Sequence, residues 1–316
     1  MVYMQHDDTA PVYADSAGWQ SYKHILADRF GIAVLHEPEE HWLDWRGHRI
    51  HLDVHEPQEP QRGTLVLVHG AGGHGRLLAP LGNFAASLGW RAIAPDLPGY
   101  GITKVKPGWR EDYSEWPACI ADLARSATGP VVLMGLSVGG ITAIRAAQLA
   151  PRVSGVIATT LIDLSDQQTF VSAARWRWLG HVSLFSMRWL PWLFDRLPLP
   201  LALATPLKEM TTDPVLAQWF MREPLIGRRI VRGRFFRSLH QYRPAKPDLA
   251  LSCPLLLVHP GADAWTPTAM SLPAYESVPG PKRLRVLTNG AHLPVEAPAW
   301  SELCAEIGGF LGSLPE

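Results

Sequence analysis

The stretch VVLMGLSVGG occupies residues 131–140 and is followed by small and aliphatic residues up to Ala150. Its first part is a continuous run of aliphatic residues, which predicts a buried strand, and the part after Ser137 predicts a helix. Gly135 and Gly139 remove side chains that would collide in the tight turn between them. The stretch therefore predicts a strand, a turn and a helix that hold the Ser137 hydroxyl at the carboxyl end of a sheet. A glycine-rich turn with a solvated serine is the alternative.

Short apolar segments separated by helical stretches surround this unit. Residues 41–45 and 49–55 alternate in polarity and predict an antiparallel hairpin. Further strands are predicted at 64–68, 91–95, 153–160, 254–259 and 283–287, with helices around 21–30 and at 299–311. Because helices separate the later strands, the connections are crossovers and the sheet is mostly parallel, with helices on both faces.

Three polar residues of the second predicted strand share one face. His51, Asp53 and His55 alternate with Leu52 and Val54. Alternation is typical of a strand with one buried and one solvated face, so we expect the three polar side chains to point outward. A metal site formed by these residues is the less favoured interpretation.

Three segments resemble the α/β-hydrolase family. Gly135 to Gly139 resembles the nucleophile elbow Gly-x-Ser-x-Gly. His69-Gly70, with the glycines after it, resembles the oxyanion loop, and the stretch DLPGYG at 96–101 resembles the turn after the next strand. The resemblance covers roughly residues 41–162 and 250–312. It implies a mostly parallel central sheet with helices on both faces, the α/β-hydrolase fold, and an inserted helical cap.

The segment between the fourth and fifth parallel strands differs in composition from the rest. We expect an N-terminal extension at 1–40, a core at 41–163 and 247–316, and a helical cap at 164–246. The cap segment is rich in tryptophan, leucine and arginine and is broken by prolines, so short helices are predicted. A cap excludes water and shapes the substrate pocket.

Two parts of the cap allow a second interpretation. Residues 176–207 have the composition of an interfacial segment, which predicts a weak contact with a membrane surface as an alternative. The arginine-rich row at 228–237 either binds an acidic substrate or, as we prefer, is the solvated face of a helix that buries Ile230, Val231, Phe235 and Phe236.

The resemblance also implies catalytic roles. In this family the order along the chain is serine, acid and histidine. It assigns Ser137 as the nucleophile, His292 as the general base and then acid, and Asp263 as the carboxylate that orients the histidine. Asp163, just past the fourth parallel strand, is the alternative carboxylate.

The resemblance further implies an oxyanion hole made of backbone amides. Val138 supplies one amide, and Ala71 supplies the other, with Gly72 as the alternative. His69 and His259 are expected to have structural roles at strand ends. No metal or organic cofactor is implied.

A serine nucleophile argues against epoxide opening and dehalogenation, for which relatives use aspartate. The predicted activity is hydrolysis of a small to medium apolar carboxylic ester. Lactone, thioester, carbon–carbon or small-peptide hydrolysis and acyl transfer use the same residues and stay open. A hydrolase-fold protein that binds a ligand without turnover is the alternative from another class.

Composition excludes several classes of partner. The 316 residues carry equal numbers of acidic and basic side chains, 29 each, so a nucleic-acid partner is not expected. Three widely separated cysteines suggest neither disulfides nor a zinc site. No apolar run is long enough for a membrane span, and the first residues do not resemble a signal peptide. We expect a cytoplasmic protein that acts on a small molecule.

Overall fold

The computed structural model describes residues 4–5, 12–58, 60–244 and 248–314. Its strands, in chain order, are β1 Met4–Gln5, β2 Glu39–Trp45, β3 His48–His55, β4 Gly63–Val68, β5 Trp90–Pro95, β6 Val131–Gly135, β7 Val153–Ala158, β8 Pro198–Pro200, β9 Ile230–Arg232, β10 Leu255–His259 and β11 Lys282–Val286. Its α-helices are α1 Ala17–Phe30, α2 Ala79–Ser87, α3 Glu115–Ser126, α4 Val138–Leu149, α5 Gln167–Ala173, α6 Arg177–Trp189, α7 Pro191–Phe194, α8 Leu201–Ala204, α9 Pro214–Arg222, α10 Gly233–His240, α11 Thr268–Ser277 and α12 Ala299–Gly312.

Nine of the strands form one sheet, in the order β1-β2-β3-β5-β4-β6-β7-β10-β11. The pairs β1–β2, β2–β3 and β3–β5 are antiparallel, and the remaining neighbours are parallel. Every residue of β4 and β6 is buried, which explains why these strands are continuously apolar. Helices α3 and α4 pack on each other, as do α2 and α12, and all four helices pack against strands of the sheet. The predicted fold class is confirmed.

The segment predicted as a cap lies between β7 and β10. It contains α5 to α10 and a two-stranded antiparallel sheet, β8–β9, whereas the sequence pattern predicted short helices alone. The arginine-rich row was assigned wrongly to a single helix, because its first part forms β9 and α10 begins only at Gly233. Ile230, expected to be buried, is exposed. The predicted cap boundary at residues 246 and 247 lies outside the described residues.

The expectation that His51, Asp53 and His55 face solvent was wrong, because all three are buried. Residues from other parts of the chain cover this face of β3. Arg76 donates from Nε and Nη2 to the two carboxylate oxygens of Asp53, at 2.8 and 2.7 Å. The same Nη2 lies 2.9 Å from Glu40 Oε1. Charge pairing with Arg76 replaces the solvent that the sequence pattern implied.

His51 links this group to a further carboxylate. Its Nε2 lies 2.8 Å from Glu40 and its Nδ1 lies 3.3 Å from Asp96 Oδ2. We call Glu40, His51, Asp53, Arg76 and Asp96 the buried ionic cluster. Possible metal-ligating atoms of Glu40, His51 and Asp53 lie within 4.8 Å of one another. However, the Arg76 guanidinium already lies against both carboxylates and would repel a metal ion.

The charge on His51 predicts how stability depends on pH. Burial lowers its pKa, but contacts with Asp96 and Glu40 outweigh burial and raise the pKa to about 10. The folded-state value exceeds the unfolded value of about 6.5, so this stabilisation is complete below that pH and is lost as pH rises towards 10. We expect the free energy of unfolding to fall by up to about 1.4 kcal/mol per unit between about pH 7 and pH 8.5.

Urea denaturation at a series of pH values measures this slope. His51→Gln should flatten it, whereas His24→Gln, on the exposed side of α1, should leave it unchanged. An identical slope in the wild type and in His51→Gln would contradict the assigned charge.

None of the helices in the described ranges is long and apolar enough to cross a bilayer.

Candidate active site

Ser137 lies in the sharp turn between β6 and α4, as predicted. Its φ of 57° and ψ of −132° are rare for a residue other than glycine, which marks a strained turn. A Cβ atom at Gly135 would lie 2.0 Å from the carbonyl oxygen of Gly139, and one at Gly139 would lie 2.3 Å from that of Val68. The turn therefore requires glycine at both positions, and the α4 amides begin directly beside the serine.

The structure brings Asp263 and His292 together from the loops after β10 and β11. His292 Nδ1 lies 2.8 Å from Asp263 Oδ2, and both side chains are buried. The amides of Trp265 and Thr266 donate to Asp263 Oδ1 at 2.9 and 2.8 Å. Burial raises the pKa of the Asp263 carboxyl, but the interactions with His292 and Thr266 outweigh it and hold the pKa below its ordinary value. The carboxylate is thus ionised and fixes the histidine ring.

The other ring nitrogen of His292, Nε2, lies on the side of the ring away from Asp263. In the described part of the chain, Nε2 has no hydrogen-bond partner. His292 and Ser137 line the same cavity, and the Trp265 ring packs on the imidazole with its centroid 4.5 Å away. A buried imidazole with one nitrogen held by a carboxylate and the other available can accept a proton from a neighbouring hydroxyl.

Asp163, the alternative carboxylate, lies elsewhere. Its Oδ1 accepts hydrogen bonds from the amide and the hydroxyl of Ser165, at 2.9 and 2.6 Å. It borders a separate small cavity that contains neither Ser137 nor His292. Of the two candidate carboxylates, only Asp263 has a hydrogen bond with His292 in the described residues.

The loop after β4 passes directly against the serine. A Cβ atom at Gly70 would lie 2.8 Å from Ser137 Cβ. Ala71 borders both cavities at Ser137, whereas Gly72 borders only the smaller one and packs against Leu201 of the cap. The amides of Ala71 and Val138 have no backbone acceptor among the described residues. Both are therefore available to an oxygen bound next to Ser137.

His69 holds this loop in place, which is the structural role expected for it at a strand end. The Leu97 amide donates to His69 Nε2 at 3.0 Å, so the ring proton is on Nδ1, which donates to the Gly70 carbonyl oxygen at 2.8 Å. Burial lowers the pKa of His69 to about 4, which keeps the ring neutral, so that one nitrogen accepts a hydrogen bond while the other donates one. His259 has a similar structural role, since its Nδ1 donates to the Pro260 carbonyl oxygen at 2.9 Å.

Asp96 supports the same loop, a role that was not predicted from the sequence. Its Oδ1 accepts from the Gly75 amide at 2.7 Å, and its Oδ2 accepts from the Tyr13 hydroxyl and the Ile102 amide, each at 2.8 Å. Asp96 thus ties the end of the loop after β4 to the turn after β5. The resemblance of residues 96–101 to a family turn was the only sequence signal for it.

Two cavities meet at Ser137. The larger has a volume of about 1060 Å³, including the solvent-filled space at its opening. Among the described residues, no charged side chain lines it. Its lining comes mainly from the cap and includes Leu164, Phe170, Leu179, Val182, Phe194, Leu197, Leu199, Leu203, Phe236 and Leu239. The smaller cavity, of about 550 Å³, is lined by His69, His292, Leu77, Leu207, Met210, Phe220 and Ile226 among others. The site therefore suits an apolar molecule bound on both sides of the serine.

Comparison with known proteins identifies related families. The model of the family described as serine aminopeptidase, S33, matches residues 59–296. A pimeloyl-[acyl-carrier protein] methyl ester esterase of Xanthomonas oryzae pv. oryzae is 36% identical over 111 residues, which are 34% of this chain and 38% of that protein. Esterase Rv0045c of Mycobacterium tuberculosis is 32% identical over 106 residues, 32% of this chain and 33% of that protein. These matches span well under two thirds of either esterase.

The fold is also shared with solved structures. A soluble variant of monoglyceride lipase from Saccharomyces cerevisiae, in complex with a substrate analogue, superimposes with a TM-score of 0.70. The superposition covers 90% of this chain and 97% of the lipase at 17% sequence identity. At that identity the likeness concerns the fold alone.

Proposed function

The chain belongs to the serine aminopeptidase S33 family, and from this we propose that it is a serine hydrolase that cleaves an apolar carboxylic ester through an acyl-enzyme intermediate. The observation that carries the proposal is the position of Ser137 where two apolar cavities meet, the smaller of which is also lined by His292, whose Nδ1 lies 2.8 Å from Asp263. The esterase names of the matched relatives support the same reaction class.

In the first half of the proposed reaction, Ser137 Oγ attacks the ester carbonyl carbon while His292 Nε2 takes its proton. Asp263 stabilises the imidazolium through the 2.8 Å contact with Nδ1. The amides of Ala71 and Val138 donate to the oxyanion that forms on the carbonyl oxygen. His292 then returns the proton to the leaving alkoxide, and the carbon–oxygen bond to the alcohol breaks, which leaves the acyl group on Ser137.

In the second half, water attacks the acyl carbon and loses its proton to His292 Nε2. The same two amides bind the oxyanion, and the bond to Ser137 Oγ breaks as His292 protonates it. The products are the carboxylic acid and free enzyme. Each group is used twice, and the chemistry requires only these side chains, two backbone amides and water.

An ester fits the cavities better than a peptide with a free amino terminus. Binding an ammonium group in a buried pocket requires a carboxylate partner, because an unpaired buried charge is strongly unfavourable. No aspartate or glutamate lines either cavity among the described residues. The family name alone therefore does not make aminopeptidase activity the preferred proposal.

The two cavities suggest how the ester lies. The larger, cap-lined cavity suits the acyl chain, and the smaller cavity, which His292 borders, suits the alcohol. His292 must protonate the leaving alcohol, so the alcohol has to lie on its side of Ser137.

A substrate panel tests the proposal. We expect p-nitrophenyl esters from acetate to dodecanoate to be hydrolysed, and the p-nitroanilides of amino acids with a free amino group to be turned over at least about a hundredfold more slowly, because the site cannot pair the ammonium. Ala174→Leu, which narrows the larger cavity, should lower activity on long acyl chains more than on acetate, whereas Ala305→Leu on the exposed side of α12 should change neither. Faster cleavage of the anilides would overturn the proposal in favour of a peptidase.

The cellular location of the protein and the division of its chain into segments are part of the same proposal. We propose that the chain acts as a cytoplasmic hydrolase, and that residues 1–40 form an extension to a core at 41–163 and 247–316 that carries a cap at 164–246. The nearly continuous run of cap elements from α5 to α10 supports this division.

A further inference from the structure

The outer surface of the cap carries an apolar stripe on α6. Trp178, Val182, Phe185 and Trp189 follow one another at the spacing of one helix face, and their exposed fractions are 61, 52, 61 and 62%. Trp192, at the start of α7, continues the stripe and is 62% exposed. The opposite side of α6 contains the buried Gly180 and Met187. The helix therefore has two apolar sides, and within the described part of the chain only one of them is buried.

Positive charge borders the stripe. Arg177 and Arg188 are exposed on α6 beside it, and Arg196 is exposed just after α7. Asp195 is the only acidic residue between Arg175 and Thr205, and Arg234 and Arg237 already bind it. Exposed tryptophans flanked by arginines are the composition that binds at the surface of an anionic bilayer.

The larger active-site cavity opens on the same part of the cap. Val182 belongs to both the stripe and the cavity lining, and Leu197 and Leu203 line the cavity while being 43 and 46% exposed. An apolar molecule dissolved in a bilayer that touches the stripe could enter this cavity without crossing water.

We propose that the face formed by α6 and α7 docks on an anionic phospholipid surface and that the ester substrate enters the larger cavity from that surface. The charge pattern favours lipid over a second copy of the chain, because a two-fold contact through this face would bring the arginines that border the stripe in one copy close to those of the other. The entry of the substrate rests on the ester hydrolysis proposed above, whereas the docking does not.

Sedimentation with vesicles tests the docking. We expect the wild type to bind phosphatidylcholine vesicles that contain about one third phosphatidylglycerol more tightly than pure phosphatidylcholine, and to lose the difference at high salt. The variant Trp178→Gln/Trp189→Gln/Trp192→Gln should reduce the partition coefficient at least about tenfold, and Arg177→Gln/Arg188→Gln should reduce binding to the anionic vesicles to a similar extent.

Matched controls lie outside the cap. Leu35→Gln removes an apolar side chain that is 78% exposed, and Arg62→Gln removes an exposed charge just before β4, at the amino end of the parallel strands. Both should bind vesicles as the wild type does. All four variants should hydrolyse dissolved p-nitrophenyl butyrate like the wild type, and only the first two should lose activity on a long-chain ester held in the vesicles.

Several results would overturn the docking. These are equal sedimentation of the wild type with and without anionic vesicles, equal vesicle binding by the tryptophan variant, or a dimer in solution that the tryptophan variant dissociates while vesicle binding is absent. Vesicle binding without hydrolysis of any ester would support the docking and refute the proposed activity. Hydrolysis of the dissolved ester without vesicle binding would support the proposed activity and refute the docking.

Discussion

Replacement of Ser137 by alanine is expected to lower kcat for p-nitrophenyl butyrate by about 10⁴-fold or more, and His292→Ala is expected to do the same. Without the hydroxyl no acyl-enzyme can form, and without the imidazole no group at the site can take the proton from Oγ. The double variant should be no slower than either single variant, because the two side chains act as one unit. Initial rates under saturating substrate measure the effect, and circular dichroism confirms that each variant is folded.

A fluorophosphonate probe gives a readout that does not depend on the substrate. It should label the wild type on Ser137, fail to label Ser137→Ala, and label His292→Ala far more slowly. Equal labelling of the wild type and Ser137→Ala would place the nucleophile elsewhere. An active-site serine that is labelled in a protein without esterase turnover would indicate the ligand-binding alternative.

Asp263 and Asp163, the two candidate carboxylates, provide a matched pair of variants that tests which residue orients His292. Asp263→Asn should lower kcat by about 10⁴-fold, because the asparagine amide would donate to Nδ1 and force the wrong tautomer on His292. Asp163→Asn should stay close to the wild type, since Asp163 bonds to Ser165 instead. A larger loss for Asp163→Asn than for Asp263→Asn would reverse the assignment.

The parts of the fold and site that could be predicted from the sequence are those with local signals. The strand from Val131 to Gly135, the turn at Ser137 and the helix after it follow from a run of a few neighbouring residues. The loop that carries Asp263 follows the apolar strand β10, and the loop that carries His292 follows β11, a strand with three charged residues. Both loops follow predicted strands, so their position at the carboxyl edge of a parallel sheet is also fixed locally.

What the sequence could not predict depends on contacts between distant segments. The polar face of β3 has the alternation of an exposed strand, yet Arg76 binds Asp53 and the Tyr13 ring packs on His51, and both come from other parts of the chain. The short pair β8–β9 has no periodicity because each strand has only three residues, and prolines begin and end β8. The two cavities likewise result from how the cap packs over Ser137, which no single segment encodes.

The buried ionic cluster, which was not predicted from the sequence, is connected to the loop that passes Ser137. Asp96 belongs to the cluster and also accepts from the Gly75 amide at the end of the loop that passes Ser137. The Tyr13 hydroxyl, from the segment before α1, donates to the same carboxylate at 2.8 Å, and its ring stacks on His74 with centroids 4.9 Å apart. The segment before α1 therefore packs against the buried ionic cluster, which in turn holds the loop that carries the Ala71 amide. We expect loss of charge pairing in this cluster to destabilise the whole fold.

Replacement of Arg76 by methionine is expected to lower the free energy of unfolding by about 3–5 kcal/mol, because it removes the cation that pairs with the buried carboxylate of Asp53 and one of the two cations at Glu40, where His51 remains. Arg76 is only 1% exposed, so solvent cannot take over its role. Guanidinium denaturation at pH 7 measures the loss. Arg91→Met, which breaks the part-exposed ion pair with Glu56, is the matched control and should cost about 1 kcal/mol or less.

Neutralising Asp53, the partner of Arg76, should recover part of the stability that Arg76→Met loses. If the loss in Arg76→Met comes from an uncompensated buried charge, then adding Asp53→Asn should restore part of the stability, since the carboxylate that Arg76 contacts at 2.7 Å is no longer ionised. Asp53→Asn alone should be less damaging than Arg76→Met, because Glu40 still pairs with the guanidinium at 2.9 Å. Additive losses in the double variant would mean that Arg76 stabilises the fold through packing on Tyr13 and Trp19, with centroid distances of 5.2 and 5.0 Å, and not through its charge.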